Sequence, residues 1–357
     1  MHLAVDGWSL IERPWSAEAF ALAEWLAAMA AADPDLRLSL IHPDGHLPPL
    51  PEGIHLQAAT LKPSDWGALR YQQRELPDLA RALGADLLFI PQPAAPLASP
   101  VPVAALLHAS PGPRPASALN RLRLALGAAG VAGAACRLGL ADLPTVGPGA
   151  RGAARVPPFV GADFLPPDAL GAAALERFEL APGYVLSCGL QAEQLPLLLA
   201  AWTWVEGSIG DAAPLALAGI DPSAEQAVRA QARKLGVETS LKILPPAALA
   251  DLPDLYRGAA AYLSVGLGAN GQPLRWALSC GVPIAGLNSP ETDSIVGEAA
   301  YLVQPGEARR LGAACLTLLV EEQIATALRQ KGLVRATVYR GRGPLEAWIR
   351  VFRRAAS

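Results

Sequence analysis

Lysine is nearly missing from this chain. Lys62, Lys234, Lys242 and Lys331 are the four lysines among 29 basic residues. Against 32 acidic residues the formal net charge is -3, so no strong overall field draws in nucleic acid or an anionic surface. Cysteine is scarce too. Cys136, Cys188, Cys280 and Cys315 lie far apart, and no pair has metal-ligand or redox-motif spacing. They read as buried free thiols in a reducing compartment. The longest apolar runs, Ala19 to Ala32 and Leu124 to Cys136, fall short of the roughly 20 residues a membrane span needs. Met1 to Asp6 lack the basic start of a signal peptide. The expectation is a soluble, cytoplasmic protein.

What is present is apolar bulk. Hydrophobic residues make up 52% of 357 and charged residues 17%, enough for two cored domains and too apolar for disorder. Short buried-type strands alternate with helices. Leu3–Val5, Leu36–Ile41, Ile54–Leu56, Asp86–Ile90, Val101–His108 and Gly130–Ala135 read as strands of a first series. Ser16 caps a helix over Ala17–Ala32, the loop before it runs from Ile11 to Trp15, and Trp66–Leu83 reads as helical with a break near Pro77. Val156 to Pro167 is proline-rich and reads as a hinge. A second series follows, with strands at Tyr184–Cys188, Leu215–Ala218, Leu241–Leu244, from Ala259, from Pro283 and at Tyr301–Val303. Leu345–Ala355 closes the chain as an amphipathic helix with Trp348, Ile349 and Phe352 on one side. The alternation predicts an α/β class of parallel, doubly wound sheets, with ligands at the carboxyl ends of the strands. The expected boundaries are 1–165, 166–336 and a terminal helix over 337–357.

One stretch, Ala259 to Gly286, orders strand, glycine-rich loop, helix and strand, which is the arrangement of a phosphate or sugar cradle. Its end, Trp276-Ala277-Leu278-Ser279-Cys280-Gly281-Val282-Pro283, resembles the EAMACGxP segment of the retaining family 4 glycosyltransferases (glycosyl transferases group 1). Other segments resemble that family in order. They are Arg74–Pro77, Gly84–Leu88, Pro102–Val103, Leu107–His108, the PPGVD-type hinge Val156–Phe164, Tyr184–Gly189, the LPxLYRxA segment Leu252–Ala260 and Ile295–Ala300. The resemblance implies a GT-B fold: two Rossmann-like domains facing a cleft, with the C-terminal helix returning to the N-domain. It further implies a nucleotide-sugar donor on the C-domain, a glycan acceptor on the N-domain and no metal cofactor.

The resemblance also marks what is missing. The family's two donor-site glutamates fall on Gly268 and Trp276, neither of which offers a carboxylate. The turn Gly189–Gln194 lacks the expected Arg and Lys and carries Glu193, which would repel a diphosphate. Arg13-Pro14-Trp15-Ser16 replaces a glycine-rich loop. The remaining candidates are His108 as a catalytic or ligand-contacting histidine, and Gly189, Gly219, Ser264, Asn270, Gly271 and Gln272 as donor or nucleotide contacts. Each also has an ordinary reading: a structural histidine, strand-end turns, an Asn-Gly turn. Arg275 reads as a solvated or ion-paired charge, and Trp276 as packing. The Arg350, Arg353, Arg354 cluster reads as a solvated helix end, with peripheral contact to anionic lipid as the alternative. The expected function is a glycosyltransferase-family protein, weakly active or non-catalytic. A scaffold or regulatory partner of an active glycosyltransferase, and a sugar or nucleotide binder without turnover, stand as alternatives. No nucleic-acid partner is expected.

Overall fold

Strands buried on both faces have little room for polar side chains, and the inner strands Leu87–Ile90, Val103–Leu106 and Leu215–Ala218 have none. The sequence folds its strands into two all-parallel sheets in a computed structural model that describes residues 1–107, 117–144, 150–166 and 172–357. The first sheet holds β1 (His2–Asp6), β2 (Arg37–His42), β3 (Ile54–Ala58), β4 (Leu87–Ile90), β5 (Val103–Leu106), β6 (Cys136–Leu140) and β7 (Ala154–Val156) in the order β3-β2-β1-β4-β5-β6-β7. Val5 pairs with Leu40 on one side and Phe89 on the other. The second sheet holds β8 (Tyr184–Cys188), β9 (Leu215–Ala218), β10 (Leu241–Ile243), β11 (Ala259–Ser264), β12 (Ile284–Leu287) and β13 (Ala300–Val303) in the order β10-β9-β8-β11-β12-β13. Both orders reverse direction beside the first strand of the sheet, the position where α/β sheets open a crevice.

The chain divides into two compact units. The first comprises Met1–Pro14, Leu22–Phe159 and Gly341–Ser357; the second comprises Trp15–Ala21 and Val160–Arg340. In the first unit the C-terminal helix, Arg342–Ala356, buries Trp348, Ile349 and Phe352. Their rings pack with Trp25 and Phe89 at centroid distances between 5.2 and 5.9 Å, and Trp348 Nε1 donates to the Pro157 carbonyl at 2.9 Å. Burying each such side chain contributes roughly 1.5–3 kcal/mol. That apolar face is what returns the end of the chain to the first sheet. Arg353 at its last turn pairs with Asp33 at 2.8 Å.

The structure departs from the sequence expectations at five places. Gly130–Ala135 is not a strand: the helix Ala118–Ala132 runs through most of it, and β6 starts at Cys136. The small residues there serve a helix-to-loop approach. A Cβ on Gly130 would overlap the carbonyl oxygen of Ala95, and one on Gly127 would sit 2.9 Å from Ala94 Cα. The expected loop over Ile11–Trp15 begins inside a short helix, Trp8–Glu12. The break near Pro77 is a π turn, Tyr71–Glu75, between two α segments. Pro77 has no N–H and crowds the carbonyl four residues back, and the wider turn accommodates both. A further helix, Pro290–Val296, capped by Ser289, was not anticipated. Arg275, expected as a solvated or ion-paired charge, is fully buried and so not solvated; its guanidinium donates to the Asn270 carbonyl at 2.7 Å and lies 5.6 Å from the Tyr339 ring.

Candidate functional site

A small cavity, about 10 Å³ in accessible volume, lies at the carboxyl ends of β8 and β11 in the second unit. That volume suits one water molecule. Its floor is Ser187, Cys188 and Tyr262; its wall is the segment from Ser264 to Gly268 with Gly271, Pro273 and Leu274; Gly189, Leu190 and Gln194 close the other side. Of the expected donor-site residues the structure brings Gly189, Ser264, Gly268 and Gly271 together here. Gly219 lies next to it, since a Cβ placed on Gly219 would come within 3.4 Å of Gly189 N. Asn270, Gln272 and Trp276 are not among the lining residues. His108 lies outside the described residues.

The loop that shapes the wall is unusual in its backbone. Ala269, Asn270 and Gly271 all have positive φ, at 45°, 52° and 79°. Left-handed backbone is costly for residues with a Cβ, so a run of three is held by its surroundings. Gly271 N–H closes the turn on the Gly268 carbonyl at 2.7 Å, and Arg275 grips the Asn270 carbonyl from within the following helix, Gln272–Ser279. Gln272 is buried and its Oε1 lies 3.4 Å from the same guanidinium. The Asn270 backbone and the Gln272 side chain thus both take part in the loop's own bonding.

The two positions that would hold carboxylates are closed in different ways. Gly268 has an ordinary φ of -82°, yet a Cβ on it would lie 3.3 Å from the Gly189 carbonyl. Trp276 is fully buried and turned into the core, stacked on Phe164 with centroids 5.3 Å apart and planes 7° from parallel. Tyr256 meets it edge-on at 6.0 Å. The tryptophan is packing, and it does not plug the cavity.

The polar groups around the cavity already have partners within the chain. Ser187 Oγ donates to the Leu263 carbonyl at 2.9 Å, and Ser264 Oγ to the Gly266 carbonyl at 3.2 Å. Tyr262 donates to the Cys188 carbonyl at 3.3 Å, and Gly189 N–H to the Ala218 carbonyl at 3.1 Å. Gln194 Oε1 accepts the Gln191 N–H at 2.9 Å. Burial pushes the Cys188 thiol up to about 12, so it remains a protonated thiol at neutral pH. The nearby Glu18 carboxylate adds to that rise, while the Tyr256 hydroxyl opposes it. No Asp, Glu, Lys, Arg or His lines the cavity among the described residues, and Glu193 is exposed. No group of three or more His, Cys, Asp or Glu among the described residues could hold a metal ion.

Sequence reasoning missed Glu18, whose Oε1 accepts the Ala269 N–H at 3.3 Å. It belongs to the Trp15–Ala21 segment that groups with the second unit. The contact spans 251 positions, so only its place in the first turn of a helix could have flagged it. Also missed was a buried carboxylate in the first unit, Asp6, at the carboxyl end of β1. It accepts the Trp8 N–H, the Tyr71 hydroxyl and the Gln92 amide, each at 3.0 Å. Desolvation raises its pKa and those three hydrogen bonds oppose the rise.

No protein-family model and no curated protein matches the chain by sequence. Solved structures do match in three dimensions over its whole length. A sucrose-phosphate synthase from Thermosynechococcus elongatus superposes with a TM-score of 0.75 at 15% identity, covering 100% of both chains. WaaG, a glycosyltransferase involved in lipopolysaccharide biosynthesis, gives 0.71 at 13% identity, covering 98% of this chain and 99% of its own. The fold is GT-B. Anabaena HepE, solved in complex with UDP-glucose, gives 0.62 at 13% identity, covering 100% of this chain and 98% of its own. Identities this low carry the GT-B fold to this chain and leave its chemistry to be argued from its own residues.

Proposed function

We propose that this chain is a glycosyltransferase relative that does not perform nucleotide-sugar transfer and acts as a non-catalytic partner of an active glycosyltransferase. One observation carries the reading: among the described residues the cavity at the carboxyl ends of β8 and β11 has no charged lining residue, and its serine and tyrosine hydroxyls and the Gly189 amide are bonded within the chain. A transferase must hold a diphosphate and stabilise an electron-poor sugar carbon as the donor bond breaks, which calls for cations or free amides and a carboxylate. Gly268 and Trp276 supply no carboxylate, and Cys188 as a neutral thiol supplies no negative charge. A cytoplasmic setting fits the four free cysteines, three of them buried.

Isothermal titration with UDP-, GDP- and ADP-sugars tests this. The expected result is no binding to any of the three. Binding followed by hydrolysis or transfer overturns the proposal in favour of an active enzyme with an altered donor site. Binding without turnover favours a sugar-nucleotide binder.

A further inference from the structure

The turns beside the cavity are covered by another part of the chain, which does not itself line it. Residues Trp15–Ala21 approach the turns after β8 and β9 closely enough that each turn must be glycine. A Cβ on Gly189 would overlap Ala17, and one on Gly219 would overlap the Trp15 carbonyl. Both glycines also have positive φ, 67° and 78°. The third contact is polar: Glu18 Oε1 takes the Ala269 N–H, the first residue of the left-handed run. Ser16 caps the helix that starts here, accepting the Ala19 N–H at 3.2 Å, so the segment enters as a fixed turn. Pro14 before it and the half-buried Trp15 stiffen and fill the approach.

Resting on the reading above, we infer that Trp15–Ala21 is a built-in cover over the turns and loop beside the site, with Glu18 satisfying the loop amide that an oxygen of a bound sugar nucleotide would otherwise satisfy. The carboxylate also makes the pocket unfavourable to a diphosphate, because it adds negative charge beside turns that carry no compensating cation. The left-handed loop of the second unit is therefore braced by a side chain of its own chain.

Hydrogen exchange at the Ala269 amide reads this contact directly. In wild-type protein the amide is protected by Glu18. In Glu18→Ala it should exchange roughly tenfold faster or more, the scale of a lost hydrogen bond to a charged group. Glu18→Gln should fall between, because an amide oxygen accepts more weakly than a carboxylate. Protection of β8 and β11 should not change in either variant. Ala17→Leu provides a second route: the added side chain should lift the segment from Gly189 and speed exchange at Ala269 with Glu18 still present.

Equal Ala269 exchange in wild type, Glu18→Ala and Glu18→Gln overturns the inference. A uniform loss of protection across the second unit also overturns it, since that reports general destabilisation. Wild-type protein that turns over UDP-glucose while Ala269 protection still depends on Glu18 overturns the non-catalytic reading and leaves this contact standing. The two ideas therefore fail separately.

Discussion

The carboxyl ends of the two sheets solve the same problem in opposite ways. In the first sheet a carboxylate, Asp6, sits at the end of β1, buried and bonded to three donors from Trp8, Tyr71 and Gln92. In the second sheet the corresponding strand ends in Cys188 and Gly189, and the residues lining the cavity there carry no charge. One end is a packed polar network; the other is a small hollow lined by glycine, thiol and bonded hydroxyls. Similar topology thus fixes where a site can be and leaves its chemistry to side chains at a few positions.

The comparison breaks most visibly at Trp276. If that residue is packing, Trp276→Ala removes a fully buried ring stacked on Phe164 and should cost about 3–5 kcal/mol of stability. Chemical denaturation measures this, and a loss below about 1 kcal/mol would return the tryptophan to a ligand role. Next in size is Gly189→Ala. The methyl group meets both an unfavourable φ of 67° and the Ala17 side chain, for an expected loss of about 1–3 kcal/mol. Exchange near Gly189 and Ala17 would show where the loss falls.

The smallest effect concerns Asp6. Its folded pKa is raised above its unfolded value, so the native state binds the proton more tightly. Stability should fall as pH rises from the unfolded pKa through the raised folded value, then level off. Asp6→Asn should flatten that slope while keeping an acceptor for Tyr71. Urea midpoints across the acidic range measure it, and an unchanged slope in the variant would place the titration elsewhere.

Much of the fold was readable from the chain because buried strands leave a plain signature. Tyr184–Cys188 and Leu215–Ala218 are fully apolar or nearly so and end at glycine, and both bounds match the structure. The helix Ala17–Ala32 follows from its Ser16 cap and unbroken alanine and leucine. Gly130–Ala135 misled because small residues signal close approach without saying which elements approach. The site was harder. Its altered positions, Gly268 and Trp276, were visible as departures from a pattern, but where the tryptophan points depends on Phe164, over a hundred residues away in the chain. Glu18 and Asp6 look ordinary in sequence, since a carboxylate in a first helical turn or at a strand end is common. Their partners come from distant segments, and only the folded chain joins them.

The π turn at Tyr71–Glu75 has its own consequence. The Leu76 N–H reaches back five residues to the Tyr71 carbonyl, so this turn holds one residue more than an α turn. That extra residue sets the phase of the segment, presenting Tyr71 so that its hydroxyl donates to Asp6 and also to the Ile41 carbonyl at 2.6 Å. The element behaves as a single-residue insertion absorbed without a loop. Deleting one residue between Gln72 and Glu75 would restore a regular helix and rotate everything before it by about 100°. The side chain now clasping β1 and β2 would swing away from both. Length changes here are consequently read by the sheet, whereas in a surface loop they would pass unnoticed.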